Sequence, residues 1–215
     1  MYEIIPSPGT EDHEWEALEK KIILIKPFVK TIHIDICDGK FAPNATFSDP
    51  EPFKKYTKDI LFEVHLMVEE PINHLKKWAD AGFSRFIGQI EMMNDQAAFI
   101  AEAQLLGEVA LGVDGPTPLS QVHVDYQDLD AILFYTGDKA GFSGKPFQED
   151  RLEKVKAVRE IASFLPIEVD GGINDETILK AYSSGATRFV ATSFLFAMDT
   201  PKQQYDLLVK QLEEI

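Results

Sequence analysis

The chain has 215 residues, of which 45% are hydrophobic and 27% are charged, and its 36 acidic and 21 basic side chains give a formal net charge of −15. This composition is typical of a packed globular protein and excludes a disordered chain. The negative charge argues against nucleic-acid and anionic-membrane partners, because both require a basic surface. One cysteine, Cys37, allows no intramolecular disulfide.

The first residues lack the basic and then apolar pattern of a secretory signal. No apolar run reaches the ~18 residues that a membrane-spanning helix requires. We therefore expect a cytoplasmic protein.

Short apolar strands alternate with amphipathic helices along the whole chain. The strand patterns cover Glu3–Ile5, Thr31–Cys37, Leu61–Met67, Arg85–Gln89, Val109–Val113, Ala131–Tyr135, Ile167–Asp170 and Arg188–Thr192. The helical patterns cover His13–Lys26, Pro71–Ala81, Asp95–Leu106, Glu149–Ala162, Asp175–Ser184 and Pro201–Glu214, with shorter ones near Pro52–Tyr56 and Leu119–Val124. Gly82, Gly107 and Gly185 follow helix ends, where left-handed backbone is common.

This alternation predicts right-handed crossovers and a parallel sheet. Eight strand–helix units in a chain of this length predict a (β/α)8 TIM barrel, with residues 1–215 as a single domain. An open, doubly wound sheet is the alternative.

Ionisable residues alternate with apolar ones on three of the predicted strands. Residues two apart in a strand share a face. The shared polar faces carry His33, Asp35, Cys37, Glu63, His65, Met67, Glu168 and Asp170. Both faces of a barrel strand are covered by protein, so these side chains are expected in a buried interior. A buried charge is very costly there unless it is paired or bound to a metal.

Two histidines and two carboxylates of this set are suitable ligands for one divalent ion: His33, Asp35, His65 and Asp170. Imidazole and carboxylate groups suit Zn, Fe(II), Mn or Co. The alternative is that the histidines are core residues bonded to Glu63, Glu168 or the backbone. We favour the metal site because the polar residues lie at strand ends that lead into glycines, Gly39 and Gly171-Gly172, and barrel active sites occupy the carboxyl ends of the strands.

Three longer motifs carry a resemblance to a known family: HIDICDGKFAPN at 33–44, FEVHLMVEEP at 62–71 and IEVDGGIN at 167–174. Pro6-Ser7, Asp12 and the segment GFSGKPF at 141–147 add to it. In this order the motifs resemble those of the ribulose-phosphate 3-epimerase family. The resemblance covers essentially the whole chain.

The resemblance implies a metal-dependent (β/α)8 barrel, assembled as a homo-oligomer, that inverts C3 of a ketopentose 5-phosphate. By position it implies the metal ligands His33, Asp35, His65 and Asp170, with Asp35 and Asp170 as the catalytic acid–base pair. It also implies the substrate-binding residues Ser7, His65, Met67, Gly141, Gly144, Gly171, Gly172, Thr192 and Ser193.

The expected chemistry agrees with these residue types. Epimerisation removes a proton from one face of a carbon and returns one to the other face, which favours two carboxylates on opposite sides. A divalent ion stabilises the enediolate and offsets the repulsion between the carboxylates. Backbone N–H groups of Gly171-Gly172 and of the loop after Val190 are expected to bind the phosphate.

Several positions depart from the family pattern, although the ligand and acid–base set is intact. They are Cys37 and Thr136 in place of methionine, Gln89 in place of histidine, Lys139 and Ala140 in place of Asn-Pro, Ser143 and Thr192 in place of glycine, and the loop at 7–11. We expect these changes at the pocket wall to redirect or weaken 3-epimerase activity. Lys139 and Lys145 are candidates for added positive charge at the phosphate loop.

The leading hypothesis is conversion of D-ribulose 5-phosphate to D-xylulose 5-phosphate. Epimerisation of a hexulose 6-phosphate is the second hypothesis, and a non-catalytic sugar-phosphate-binding protein is the third. A decarboxylase or aldolase on this barrel requires a lysine among the strand-end acids, and the matched strand ends carry none.

Overall fold

The computed structural model describes residues 2–138, 140–198 and 200–214. Within these ranges the chain forms eight strands: β1 Glu3–Pro6, β2 Thr31–Cys37, β3 Leu61–Met67, β4 Arg85–Gln89, β5 Glu108–Val113, β6 Ala131–Tyr135, β7 Ile167–Asp170 and β8 Arg188–Ala191. Every strand pair is parallel, in the order β1-β8-β7-β6-β5-β4-β3-β2. Between β1 and β2, Thr31 Oγ1 donates a hydrogen bond to Glu3 Oε1. The predicted barrel is confirmed, and the open sheet is wrong.

Seven α-helices lie in the described ranges: α1 Trp15–Ile25, α2 Leu75–Asp80, α3 Gln96–Gln104, α4 Leu152–Ile161, α5 Thr177–Ser183, α6 Ser193–Phe196 and α7 Pro201–Glu213. Each long predicted helix is present but shorter. The short segments predicted after β2 and β5 form 3-10 turns, Glu51–Lys55 and Leu119–Gln121, instead of α-helices. None of the described helices is long and apolar enough to cross a membrane.

Three predicted strands differ from the structure by one residue at one end, and one glycine differs in its role. Strand β1 extends to Pro6, and β5 begins at Glu108. Strand β8 ends at Ala191 because Thr192, with φ −125° and ψ −82°, leaves the extended conformation to begin α6. Gly82 and Gly185 have the expected positive φ, but Gly107 does not. A Cβ at Gly107 would lie 2.2 Å from the backbone oxygen of Ser84. Close backbone packing, rather than a left-handed turn, therefore requires glycine at 107.

The barrel interior is layered. A small apolar layer contains Ile87, Ala110, Ala131 and Leu133. Nearer the amino ends of the strands, a charged layer surrounds Arg85, whose Nη1 donates to Glu63 Oε2 at 2.6 Å and whose Nε donates to Glu108 Oε2 at 2.7 Å. Because alternate residues of β3 point inward, Glu63 lies in the charged layer and His65 lies above it, at the mouth of the barrel.

Candidate active site

The four predicted metal ligands meet at the carboxyl ends of β2, β3 and β7. One donor atom from each of His33, Asp35, His65 and Asp170 lies within 4.8 Å of the others. Asp35 pairs with His65 in the register between β2 and β3, which brings these two side chains to the same level of the barrel. His33 and His65 are at most 1% exposed. The fold therefore builds one compact, buried donor group from residues that are far apart in sequence.

Asp35 lies at the centre of this group. Its Oδ1 lies 3.1 Å from His33 Nε2 and 3.3 Å from His65 Nδ1. Its Oδ2 accepts a hydrogen bond from Ser7 Oγ at 3.1 Å. Burial alone would raise the pKa of Asp35, but the positive charge of His33 and its hydrogen bond, with a smaller contribution from His65, lower that pKa below its usual range. Asp35 is therefore ionised at neutral pH.

Asp170 has the opposite electrostatic setting. Burial, followed by the charge of Asp35, raises the pKa of Asp170 to about 7, and the two histidines offset only part of this effect. One carboxyl group of the site thus carries a charge at neutral pH, while the other can hold a proton. Two acids whose environments separate their pKa values are suited to act as base and acid in one reaction.

His33 uses both ring nitrogens. Nδ1 lies 2.7 Å from Glu63 Oε1, whereas Nε2 faces Asp35. Burial would lower the pKa of His33, but Asp35, Glu168 and Glu63 raise it well above the ordinary value. The two sequence-based interpretations of this residue are compatible, because a core hydrogen bond to Glu63 leaves the other nitrogen directed at the site.

Glu63 and Glu168 form a second acidic layer beneath the site. Burial would raise the pKa of Glu63, but His33 and Arg85 lower it to about 2. The pKa of Glu168 is raised by burial and by the charge of Glu63. Neither carboxylate oxygen of Glu168 has a hydrogen-bond partner among the described residues.

The donor set fits a divalent cation. His65 Nδ1 is buried and makes no hydrogen bond to any residue that the structure describes. It points toward Asp35 Oδ1 rather than toward a donor. An orphaned imidazole nitrogen beside carboxylates offers a lone pair with no protein partner, as a metal ligand does.

A cleft lined by Asp35 and Asp170 opens above the donor group. Most predicted substrate-binding residues line it: Met67, Gly141, Gly144, Gly171, Gly172, Thr192 and Ser193. Ser7 and His65 lie outside its lining; both contact Asp35 instead. A Cβ at Gly171 would lie 2.4 Å from Gly137 N, and one at Gly172 would lie 2.7 Å from Phe147 N. Both glycines also have positive φ, so the conformation of this loop requires residues without side chains.

The wall of the cleft differs from the sequence-based expectation at β6. Thr136 does not line the cleft; its Oγ1 is 3.0 Å from the backbone oxygen of Asp170 and donates to that of Gly171 at 2.7 Å. Tyr135 lines the cleft instead, and its hydroxyl donates to Phe142 O at 3.1 Å. The sequence did contain a signal for Tyr135, because alternate residues of a strand share a face and Ala131 and Leu133 point into the barrel. Cys37 is buried, and burial raises the pKa of its thiol, which fits a packing role.

Hydrogen bonds connect the loops that follow β1, β2 and β6 at the mouth of the barrel. Thr10 N donates to Ser143 Oγ at 3.1 Å, and Ser143 N donates to Thr10 Oγ1 at 3.0 Å. Asn44 Nδ2 donates to Thr10 O at 3.1 Å and to Gly141 O at 2.7 Å. Lys145 lines the cleft beside Ser143. The other predicted cation, Lys139, lies outside the described residues.

A sequence model of the ribulose-phosphate 3 epimerase family matches residues 8–196. The chain belongs to this family. The cytoplasmic isoform of ribulose-phosphate 3-epimerase from Oryza sativa subsp. japonica is 34% identical, over 85% of this chain and 82% of the relative. Ribulose-phosphate 3-epimerase from Bacillus subtilis is 33% identical, over 80% of this chain and 82% of the relative. As a member of the ribulose-phosphate 3-epimerase family, the chain is an enzyme of the isomerase class.

Solved structures agree with the barrel fold. KGPDC from Streptococcus mutans aligns with a TM-score of 0.75 at 12% identity, over 100% of this chain and 99% of that chain. The 3-hexulose-6-phosphate synthase from Salmonella typhimurium aligns with a TM-score of 0.72 at 12% identity, over 99% of both chains. At this identity the similarity is evidence for the fold only, and the epimerase family is established by the sequence relatives.

Proposed function

We propose that this member of the epimerase family converts D-ribulose 5-phosphate to D-xylulose 5-phosphate with the help of one divalent metal ion. The observation that carries the proposal is the contrast between Asp35 and Asp170. They share one buried donor group, yet one is ionised and the other has a pKa of about 7. Inversion of a carbon centre beside a carbonyl requires such a base and such an acid at the same time.

His33 Nε2, His65 Nδ1 and one carboxyl oxygen each of Asp35 and Asp170 would hold the ion, which leaves the second oxygen of Asp170 to carry a proton. Two imidazoles with two carboxylates suit Zn, Fe(II), Mn or Co. When bound, the ion supplies positive charge that stabilises the enediolate and offsets the repulsion between the carboxylates. The orphaned Nδ1 atom of His65 supports this assignment.

The protons move on the two aspartates. Asp35, held by Ser7 Oγ at Oδ2, takes the C3 proton from one face of ribulose 5-phosphate. Asp170, protonated, returns a proton to the opposite face, which gives xylulose 5-phosphate. In the reverse direction the roles exchange, because each residue ends the cycle in the other's starting protonation state.

The substrate phosphate would lie at the glycine loops of the cleft. Backbone at Gly144, Gly171 and Gly172 lines this part of the cleft, together with Ser193 and Lys145. Backbone N–H groups and a nearby ammonium group are suited to bind a phosphate.

The proposal is tested by following C3 inversion with protein loaded in turn with Zn, Fe(II), Mn and Co. Ribulose 5-phosphate and a hexulose 6-phosphate are compared as substrates. We expect turnover of the pentulose phosphate, and we expect Asp35→Asn and Asp170→Asn each to lower kcat by about 10²–10⁴-fold. Asp80→Asn, which alters an exposed carboxylate on α2, is the matched control.

A hexulose 6-phosphate that is turned over faster than ribulose 5-phosphate would overturn the substrate assignment. Folded, metal-loaded protein that binds ribulose 5-phosphate but inverts neither sugar would instead indicate a binding protein.

A further inference from the structure

The second ring nitrogen of His65 lies in a defined hydrogen-bond chain. His65 Nε2 is 2.7 Å from Gln89 Oε1, and both side chains are 1% exposed. Gln89 Nε2 donates to Glu91 Oε2 at 2.5 Å. The other oxygen of Glu91, Oε1, accepts the backbone N–H of Asp114 at 2.9 Å. This series of hydrogen bonds therefore runs from the end of β4 to the loop after β5, where it ends at the backbone N–H of Asp114.

The hydrogen bonds that link His65, Gln89 and Glu91 can run in only one direction. A carboxylate only accepts hydrogen bonds, whereas an amide has a donating end and an accepting end. The NH₂ group of Gln89 must therefore face Glu91, which leaves Oε1 of Gln89 facing His65. Because Oε1 only accepts, the proton of the neutral His65 ring belongs on Nε2, and Nδ1 keeps its lone pair.

Asp35 competes for the same proton. Asp35 Oδ1 lies 3.3 Å from His65 Nδ1 and would draw the proton to that nitrogen if nothing held it on Nε2. A ring protonated on Nδ1 cannot bind a metal through that atom. The shorter contact, at 2.7 Å, is the one to Gln89.

Space for this pair is provided by β5. A Cβ at Gly112 would lie 2.8 Å from Gln89 Oε1 and 2.8 Å from His65 Nε2. The backbone of Gly112 does not have positive φ. Glycine is therefore required there by the two side chains and not by the turn of the chain.

We propose that Gln89, oriented by Glu91, is a positioning residue that holds His65 in the Nε2–H tautomer and so presents Nδ1 to the metal. This inference depends on the proposed metal-dependent function. Ligand histidines whose other ring nitrogen is held by an acceptor have a fixed ring orientation and tautomer, and loss of the acceptor typically weakens metal binding by about 10–100-fold.

The direct test is the tautomer of His65 in full-length protein treated with a chelator, read from long-range ¹H–¹⁵N correlations of labelled histidine. We expect an unprotonated Nδ1 and a protonated Nε2 in the unaltered chain. A proton on Nδ1 would overturn the proposal without any variant, so the test survives if a substitution prevents folding. It is also independent of turnover, so its failure is distinguishable from failure of the epimerase assignment.

Variants provide the second test, with Zn and Mn affinities measured by competition with a chelating indicator. Gln89→Leu should move the proton to Nδ1 and weaken binding by about 10–100-fold. The double variant Gln89→Glu/Glu91→Gln exchanges the two groups and should restore both the tautomer and the affinity. Gln104→Leu, on the exposed face of α3, is the control. Unchanged tautomer and affinity in Gln89→Leu, or no recovery in the double variant, would contradict the proposal.

Discussion

Asp35 and Asp170 show how neighbouring side chains give two residues of one type different properties. Asp35 contacts two histidines and a serine hydroxyl, which together favour its charged form. Asp170 is buried beside the charge of Asp35, which favours its protonated form. This difference in charge state comes from contacts with side chains on other strands, and the sequence of either strand alone does not determine it.

The raised pKa of Asp170 predicts a pH-dependent stability. A carboxyl group whose pKa rises from an ordinary value near 4 to about 7 on folding destabilises the folded state as pH rises through that interval. In chelator-treated protein, Asp170→Asn removes this effect. Its melting temperature should exceed that of the unaltered chain by an amount that widens from pH 4 to pH 7 and is constant above pH 7. Thermal unfolding across this pH range measures it, and a difference independent of pH would show that the residue is not protonated on folding.

Hydrogen bonds between loops connect elements that are far apart in the sequence of this chain. The loop after β1 and the loop after β6 exchange backbone-to-hydroxyl hydrogen bonds between Thr10 and Ser143, which are 133 positions apart. Asn44, after β2, bonds to both loops. The hydroxyl of Ser143 makes a contact that a glycine at this position could not make.

The role of this contact is tested by Ser143→Gly. Loss of the Ser143 hydroxyl removes the acceptor for Thr10 N, a hydrogen bond that contributes about 1 kcal/mol. The two loops that line the cleft at Thr10 and Ser143 are then held together less firmly. We expect KM for ribulose 5-phosphate to rise by about 3- to 10-fold, with metal affinity unchanged. Steady-state kinetics measure the change in KM. The control is Ser163→Gly, which alters an exposed serine between α4 and β7. A loss of metal affinity with constant KM would place the effect in the donor group instead.

The strands were predictable in detail, and the loop contacts were not. Five strands, including β2 and β3, have the predicted bounds because an alternating or continuous apolar pattern is a local property of the sequence. The same alternation predicts that His33 and Asp35 share the inner face. The hydrogen bond between His65 and Gln89 depends on the register of the neighbouring strands β3 and β4, and the bonds between Thr10 and Ser143 depend on two loop conformations. Neither has a local sequence signal.

Across the whole molecule, the barrel interior is more acidic than it is basic. Beneath the donor group, Glu63 and Glu168 are buried with Arg85, and Arg188 lies 3.6 Å from Glu108. Removal of one partner from a buried ion pair leaves an uncompensated charge, which is strongly destabilising. The charged layer therefore couples the stability of the barrel to the positions of a few side chains, one of which, Glu63, also holds His33.

This coupling predicts a large effect of Arg85→Met. The substitution removes the guanidinium group at Glu63 Oε2 and leaves that buried oxygen unpaired, with His33 still at Oε1, and should lower the free energy of unfolding by about 3–5 kcal/mol. Urea unfolding at pH 7 measures the loss. The double variant Arg85→Met/Glu63→Gln removes the uncompensated charge and should regain part of it. A loss below about 1 kcal/mol would mean that the pair contributes no more than an exposed one.

Transfer of protons by two different carboxylates predicts complete exchange of the C3 hydrogen with solvent. Metal-loaded protein is supplied with ribulose 5-phosphate in D₂O, and C3 of the xylulose 5-phosphate is followed by NMR. Because the proton removed by Asp35 is not the one delivered by Asp170, the first product formed should carry deuterium at C3 in full. Product that retains the original C3 proton would show that a single group carries it from one face to the other, and would contradict the assignment of Asp35 and Asp170 as a pair.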